Sequence, residues 1–272
     1  MDESTSRWLQ AFTQRRRSAS PNLDNLETCP KEAVDVARLI WHRRVVNETR
    51  SVEVARKLRQ LASAIGSLGD DVDAALLRLE QDEITHVDLA SLVLQKWNAS
   101  TLTIPNAATA IVLSDEPNVV SLLRLVLTGL CICESVSAAR FASVREHTDL
   151  DGYRACIELF YRDELTHAEL GFVLLPLVTK VLRSELGAER ATSLILDELR
   201  ATFGEMDRIV GLNMERNGGV PRARPQPTMN PGVVEPAVDA AAFYRCIHED
   251  VVPRLEALGF SAREAWTTRR NA

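Results

Sequence analysis

A five-residue pattern that occurs twice constrains the fold of this sequence more than any other feature. The letters DEITH at residues 82–86 recur as DELTH at residues 163–167, 81 positions later. In an α-helix, residues i and i+3 lie on one face, so each copy directs a carboxylate and an imidazole to the same side. The repeat therefore predicts two helices with matching Glu-x-x-His pairs.

The helix faces that carry these pairs are apolar, which predicts that the pairs are buried. Burying an ionised carboxylate without a partner is costly, or it raises the pKa until the group is neutral. Metal cations would compensate these carboxylates, so we expect a metal site. The apolar neighbours are Leu76, Leu79, Ala90 and Val93 in the first helix and Ile157, Phe160, Gly171 and Leu174 in the second.

Helical periodicity and stop signals divide the rest of the chain. We expect a short helix over residues 8–17 and long helices over residues 34–66, 72–97, 118–147, 153–182, 188–217 and 238–258. Pro176 is expected to kink its helix. The connections are a short loop, a long crossover at residues 98–117 and a short turn at residues 148–152. This order predicts an all-α, ferritin-like four-helix bundle with one long crossover and additional C-terminal helices.

The ferritin-like di-iron pattern, which these repeats resemble, needs one further carboxylate from each of the first and third bundle helices. In the first helix, Glu48 lies in an apolar stripe, whereas Glu53 shares its face with charged residues, so we choose Glu48 and keep Glu53 as the alternative. In the third helix, Glu134 is the acid within the apolar stripe. The separations are 35 residues from Glu48 to Glu83 and 30 from Glu134 to Glu164, which places both pairs at one level of the bundle.

This arrangement resembles the ferritin-like di-iron carboxylate superfamily, which includes ferritins, rubrerythrins, ribonucleotide reductase small subunits and di-iron oxygenases. The resemblance covers about residues 34–182. It implies that Asp82 and Asp163 each accept the second N–H of a ligand histidine. Tyr161 is a candidate radical or supporting tyrosine, with ordinary packing as the alternative. The metal ligands that the resemblance implies are Glu48, Glu83, His86, Glu134, Glu164 and His167.

A ligand set of carboxylates and imidazoles without thiolates suits iron or manganese better than structural zinc. We expect two iron ions, with manganese or a mixed pair as alternatives. The expected function is a dioxygen-activating oxidase or oxygenase acting on a small organic substrate, with an external electron donor. The alternatives are a rubrerythrin-like peroxidase, a ferroxidase or iron-handling protein, and a non-catalytic metal-binding regulatory or assembly protein.

Composition limits the partners and the compartment. The net charge of -6 and the pI near 5.5 argue against nucleic-acid binding. No uncharged stretch reaches the roughly 18 residues of a membrane span, and five cysteines without a CxxC pair indicate neither disulfides nor a zinc knuckle. We therefore expect a soluble, cytoplasmic protein, which could form a homodimer. The basic run at residues 15–17 is interpreted as a solvated helix face or a mobile arm.

The predicted domain organisation has three parts. Residues 1–27 form an N-terminal arm or short helix, and residues 28–185 form the di-metal bundle. Residues 186–272 form a helical extension with a proline-rich linker at residues 218–236. This extension exceeds what an iron-storage subunit needs, and we expect it to cap a substrate pocket.

Overall fold

A computed structural model describes residues 1–15, 21, 31–97, 116–216 and 230–271. All regular secondary structure in these ranges is helical, which confirms the all-α fold class. The α-helices are α1 Glu3–Gln14, α2 Lys31–Ile65, α3 Asp70–Lys96, α4 Asn118–Arg124, α5 Ser135–Glu146, α6 Asp151–Leu186, α7 Ala188–Arg216, α8 Pro236–Cys246, α9 Val252–Ala257 and α10 Ala262–Thr268. Two π-helical segments, π1 Leu125–Glu134 and π2 Ile247–Val251, and a final 3-10 turn at Arg269–Asn271 complete the order.

Four long helical rods make the bundle. α2 packs against α3, and the continuous rod α4–π1–α5 packs against α6. α2 ends at Gly66, whose φ of 71° is the left-handed conformation that favours glycine, as the sequence predicted. Most of the predicted crossover, residues 98–115, lies outside the described residues.

Several helix ends differ from the predicted ones. α1 begins at Glu3 because the Asp2 side chain caps it, accepting a hydrogen bond from the Thr5 backbone N–H at 2.8 Å. α6 runs as one helix from Asp151 through Pro176 to Leu186. The last predicted helix is divided by π2, and α10 follows it as a helix that the sequence pattern did not indicate.

The third bundle rod is not the uniform α-helix that the sequence predicted. Its middle, π1, is π-helical over ten residues and ends at Glu134. π-helical segments inside α-helices often mark functional sites because the wider turn re-aims the side chains that follow. Here the segment ends at a predicted metal ligand.

Gly171 of α6 lets two helix backbones approach closely at this level. A Cβ at this position would lie 2.6 Å from Leu130 Cβ and 2.8 Å from the Cys131 backbone nitrogen. These neighbours are π1 main-chain or first side-chain atoms, which cannot rotate away. The close contact of α6 with π1 therefore requires glycine.

The C-terminal helices share the core of the bundle. One apolar cluster contains Leu9 of α1, Leu79 of α3, Leu175 of α6 and Trp266 of α10. A second apolar cluster surrounds Trp41, which lies in the N-terminal half of α2. The described part of the C-terminal segment is thus packed on the bundle, and its predicted role as a cap stays a prediction.

By length and composition alone, two helical stretches could cross a membrane: Asn118–Glu146 and Asp151–Leu186. The core helices of soluble bundles pass the same test. In this fold, 61% and 56% of the two apolar windows are buried, as expected of bundle helices. The cytoplasmic location stays a prediction.

Gly171→Ala should lower the free energy of unfolding by about 1–3 kcal/mol, because the added methyl group would push α6 away from π1. Urea denaturation followed by circular dichroism measures this change. Gly211→Ala is the matched control, since no described atom lies within 4 Å of a Cβ there. It should be neutral or stabilising by up to about 1 kcal/mol. Equal effects of the two substitutions would contradict the close-packing argument.

Candidate metal centre

The structure brings the six predicted ligands together inside the bundle. Each is at most 9% exposed. The ligand atoms form two overlapping groups, and within each group all lie within 4.8 Å of one another. Glu83 belongs to both groups, which is the position of a carboxylate shared between two ions. The groups are Glu48, Glu83, His86 and Glu164, and Glu83, Glu134 and His167.

Both histidines direct Nδ1 toward the carboxylates. His86 Nδ1 lies 3.4 Å from Glu48 Oε2, 3.4 Å from Glu83 Oε2 and 3.6 Å from Glu164 Oε1. His167 Nδ1 lies 3.0 Å from Glu83 Oε1. The four rods thus supply carboxylate oxygens and one ring nitrogen per histidine to a common centre.

The hydrogen-bonding state of these atoms tests whether metal ions fit. Both carboxylate oxygens of Glu83, Oε2 of Glu164 and Nδ1 of both histidines are buried without a hydrogen-bond partner among the described residues. Unsatisfied buried polar atoms are costly, and buried carboxylates are costlier still. Two divalent cations would satisfy these atoms together, and oxygen with imidazole donors suits iron and manganese. The residues present therefore fit a dinuclear site.

The two glutamates that the sequence offered in α2 have separate environments. Glu48 is 6% exposed and faces His86. Glu53 is about half exposed and pairs with Arg56 at 3.0 Å. The geometry favours Glu48 as the α2 ligand.

Burial strongly perturbs the acid–base properties of the cluster. Burial, together with the neighbouring carboxylates, raises the pKa of Glu164 well above its usual range and raises the pKa of Glu134 to about 7. Burial opposes protonation of His167, but the charge of Glu83 and the nearby Asp82 carboxylate outweigh it and raise the pKa to about 9. Without metal ions, the cluster therefore retains protons at neutral pH.

The aspartate of each repeat supports the histidine of the other repeat. Asp163 Oδ2 lies 3.2 Å from His86 Nε2, and Asp82 Oδ2 lies 3.6 Å from His167 Nε2. An N–H at Nε2 that faces a carboxylate leaves Nδ1 unprotonated and available to a metal. The geometry fits the role that the resemblance implied for Asp163, whereas Asp82 faces His167 Nε2 without a hydrogen bond. The role of both aspartates stays a prediction.

Arg15 binds both aspartates, a role that the sequence analysis did not predict. Its Nη2 lies 3.0 Å from Asp82 Oδ2 and 2.9 Å from Asp163 Oδ1, and its Nη1 donates to Thr166 Oγ1 at 2.6 Å. Arg78 donates from Nε to Asp82 at 2.9 Å and from Nη1 to the Arg15 carbonyl at 2.7 Å. The solvated role expected for the basic run therefore does not hold for Arg15, while residues 16 and 17 lie outside the described residues.

The remaining candidates have packing contacts. Tyr161 is half-buried and carries the Arg145 guanidinium 4.6 Å from its ring centre. Its predicted role near the metals is not tested by these contacts. Cys131, Cys133, Cys156 and Cys246 are free thiols, and Cys29 lies outside the described residues.

The helix order and the buried carboxylate–histidine cluster are those of the ferritin-like four-helix class. No protein-family model and no curated protein sequence matches this chain. Two solved structures share the fold, and both are R2-like ligand-binding oxidases with an aerobically reconstituted Mn/Fe cofactor. The first is 11% identical with a TM-score of 0.66 and 90% of each chain covered. The second, a point mutant, is 10% identical with a TM-score of 0.58, covering 99% of this chain and 93% of its own.

At these identities the likeness shows the fold alone. The resemblance that the sequence indicated is confirmed at that level. The neighbours extend it beyond residues 34–182, because 90% or more of this chain is covered.

Arg15→Met should lower the free energy of unfolding by about 1–3 kcal/mol, because two aspartates lose a charged hydrogen-bond donor. Metal affinity should also fall about tenfold or more, since the aspartates would no longer hold the histidines. Equilibrium dialysis with Mn²⁺ and urea denaturation measure the two effects. The control is Arg56→Met on the exposed face of α2, expected to cost less than about 1 kcal/mol without changing affinity. Equal results for both variants would sink the argument.

Metal affinity should rise from pH 6 to pH 9. Glu134, with a pKa of about 7, and His167, with a pKa of about 9, hold protons in the metal-free cluster, and ions must displace them. Isothermal titration calorimetry with Mn²⁺, in buffers of different ionisation enthalpy, should show net proton release at pH 7. An affinity independent of pH would contradict this expectation.

Proposed function

We propose that this protein is a non-haem di-metal oxidoreductase that activates dioxygen. The observation that carries the proposal is the cluster of four buried carboxylates and two histidines with unsatisfied ligand atoms. The fold neighbours are named oxidases and contain a Mn/Fe cofactor, which supports the class of reaction and the kind of metal. We assign two ions to this site, either iron or a mixed manganese and iron pair.

Each of the two overlapping ligand groups combines residues of both repeats and could hold one ion. Glu48, Glu83, His86 and Glu164 would hold one ion, and Glu83, Glu134 and His167 would hold the other. When bound and reduced, such a pair supplies electrons to dioxygen, the chemistry shared by di-metal oxidases and oxygenases.

The surrounding residues prepare the site for that chemistry. Asp163, which Arg15 contacts at 2.9 Å, would hold His86 in the orientation that leaves Nδ1 free, and Asp82 faces His167 in the corresponding position. The Phe160 ring lies 4.7 Å from the His86 ring and excludes water from that side. An apolar, nearly dry cavity strengthens every electrostatic interaction within it.

We further propose that the reaction is the oxidation of a small organic substrate by hydroxylation, N-oxygenation or a related step. An external electron donor would supply the electrons. A rubrerythrin-like peroxidase is less well supported because the sequence has no CxxC pair for a rubredoxin domain. A ferroxidase or iron-handling protein remains the main alternative, since it would use the same ligands. Absence of nucleic-acid and membrane partners, a homodimer and a cytoplasmic location remain predictions.

The purified protein should contain about two metal ions per chain, as expected of two overlapping ligand groups. The anaerobic Fe²⁺-loaded protein should consume at most about one dioxygen per pair of Fe²⁺ ions, because each pair supplies two electrons. Elemental analysis and an oxygen electrode measure both quantities. Glu83→Ala and Glu164→Ala should each lose metal and oxygen uptake, whereas Glu53→Ala, on the exposed face of α2, should retain both.

Failure to bind iron or manganese under metal-replete expression, with folding unchanged in the variants, would overturn the proposal. Gel filtration distinguishes the proposed oxidase from an iron-handling protein. A large shell that accumulates many irons per chain would identify an iron-handling protein, whereas a small oligomer that stops at about two ions supports the oxidase.

A further inference from the structure

Helix α1 lies along the outer side of the bundle and ends at the level of the metal centre. It packs against both α3 and α6. Its Leu9 and Phe12 side chains are 0% and 3% exposed and belong to the first apolar cluster. Ser6 Oγ donates to the Asp71 carboxylate at the start of α3, and Arg15 contacts one aspartate of α3 and one of α6. α1 therefore covers the seam between the two helices that carry the histidines.

Packed apolar side chains close the metal centre in both directions along the bundle axis. Leu79 lies four residues before Glu83 in α3 and belongs to the first apolar cluster. Phe160 lies four residues before Glu164 in α6 and belongs to the second. Leu79 is 1% exposed and Phe160 is fully buried. Moving a hydrated cation through either apolar cluster would be strongly unfavourable.

The seam between α3 and α6 is polar, in contrast to these two ends. The side chain of Asp82 is 3% exposed, that of Asp163 is 16% exposed and that of Arg15 is 25% exposed, so exposure rises outward from the buried ligands. Asp163 Oδ2 lies 3.2 Å from His86 Nε2. A pair of carboxylates attracts divalent cations toward the site behind it. The seam thus provides a polar route between solvent and the metal ligands.

Arg15 occupies the position on this route that an entering cation would take. Its Nη2 lies between the carboxylates of Asp82 and Asp163, and its Nη1 donates to Thr166 Oγ1. The guanidinium therefore neutralises both aspartates and fills the space between them. Arg78 Nη1 also donates to the Arg15 carbonyl at 2.7 Å, which fixes the backbone at the end of α1.

The attachment of α1 is limited enough for the helix to open on its own. α1 has 12 residues, and isolated helices of this length are marginal in water. Leu9 and Phe12 are the apolar side chains that it buries fully. Terminal elements with few buried contacts open at a lower free-energy cost than the whole fold. α1 can therefore undock while the four bundle rods stay folded.

We propose that α1 closes the α3–α6 seam over the metal centre, that it undocks to let metal ions in and out, and that it docks more tightly when the ions are bound. The last part follows from reciprocity: if a docked Arg15 strengthens metal binding, bound metal must strengthen the docking of Arg15 by the same factor. The inference rests on the metal site of the proposed function and does not depend on the oxidase reaction.

The rate of metal release tests the closure. The protein is loaded with Mn²⁺ and mixed with an excess of a metallochromic chelator, whose absorbance reports the released ion. Leu9→Ala removes a buried anchor of α1 without touching a ligand, and it should speed release at least about tenfold because the undocked fraction of α1 rises. An unchanged release rate in this variant would refute the closure.

Leu255→Ala is the matched control. Leu255 of α9 is also fully buried in the first apolar cluster, but α9 packs on π2 and α10. The same substitution should lower the global stability and leave the release rate unchanged. Equal acceleration in both variants would show that ions leave through general loosening of the fold, and it would overturn the proposal.

Hydrogen–deuterium exchange tests the reverse coupling on the wild-type protein, so a test exists even if Leu9→Ala does not fold. The backbone amides of α1 should exchange at least about tenfold more slowly in the Mn²⁺-loaded protein than in the metal-free protein, because bound ions favour the docked state. The amides of α10, which packs on α7 and α9, are the control and should change less. Equal exchange of α1 in both forms would contradict the proposal.

The same samples separate the closure from the proposed function. Bound Mn²⁺ whose release is unaffected by Leu9→Ala would refute the closure alone. A protein that takes up neither Mn²⁺ nor Fe²⁺ would refute the dinuclear site, and the closure with it. Faster release in Leu9→Ala from a protein that consumes no dioxygen when loaded with Fe²⁺ would refute the oxidase and support the closure.

Discussion

The need to compensate buried carboxylates organises this molecule. Four glutamates lie within the bundle, each at most 9% exposed, where isolated charges are strongly unfavourable. Two histidines bring nitrogen donors to them, and both Nδ1 atoms lack hydrogen-bond partners among the described residues. Such a cluster is stable only with protons or cations between its members. The raised pKa values describe the proton-filled state, and metal ions would replace those protons.

The helices place the four glutamates and two histidines at the same height along the bundle axis. Each Glu-x-x-His copy sits on its own rod, and Glu48 and Glu134 come from the other two. The rod that carries Glu134 achieves this through π1, which changes the helical turn just before the ligand. Gly171 allows α6 to pack directly on that segment. Backbone geometry and ligand position are therefore linked at this point.

Arginines lie in two places around the metal cluster. Arg15 and Arg78 bind the aspartates that face the histidines, so the outer layer is neutral and rigid. Arg44 lies four residues before Glu48 in α2, with its guanidinium over the Trp41 ring, and the charge of Glu48 favours its protonated form. The outer pairs of arginine and aspartate support metal binding.

The sequence alone determined the helical repeat and all six residues of the cluster. This was achievable because helix period and apolar stripes are local properties, readable within a few turns. It also indicated Glu48 over Glu53, since only one of them shares a face with apolar residues. It did not indicate Arg15, because nothing local distinguishes this residue among the 32 lysines and arginines.

Only the tertiary structure decided the contacts between distant segments. Arg15 meets Thr166 across 151 positions, and Arg44 meets Gly232 across 188. The π-helical segment that ends at Glu134 could not be predicted either, because an apolar helix has the same sequence pattern with or without it. Periodicity determines which face of a helix is buried. What that face contacts depends on how separate helices fit together, and no local pattern in the sequence contains that information.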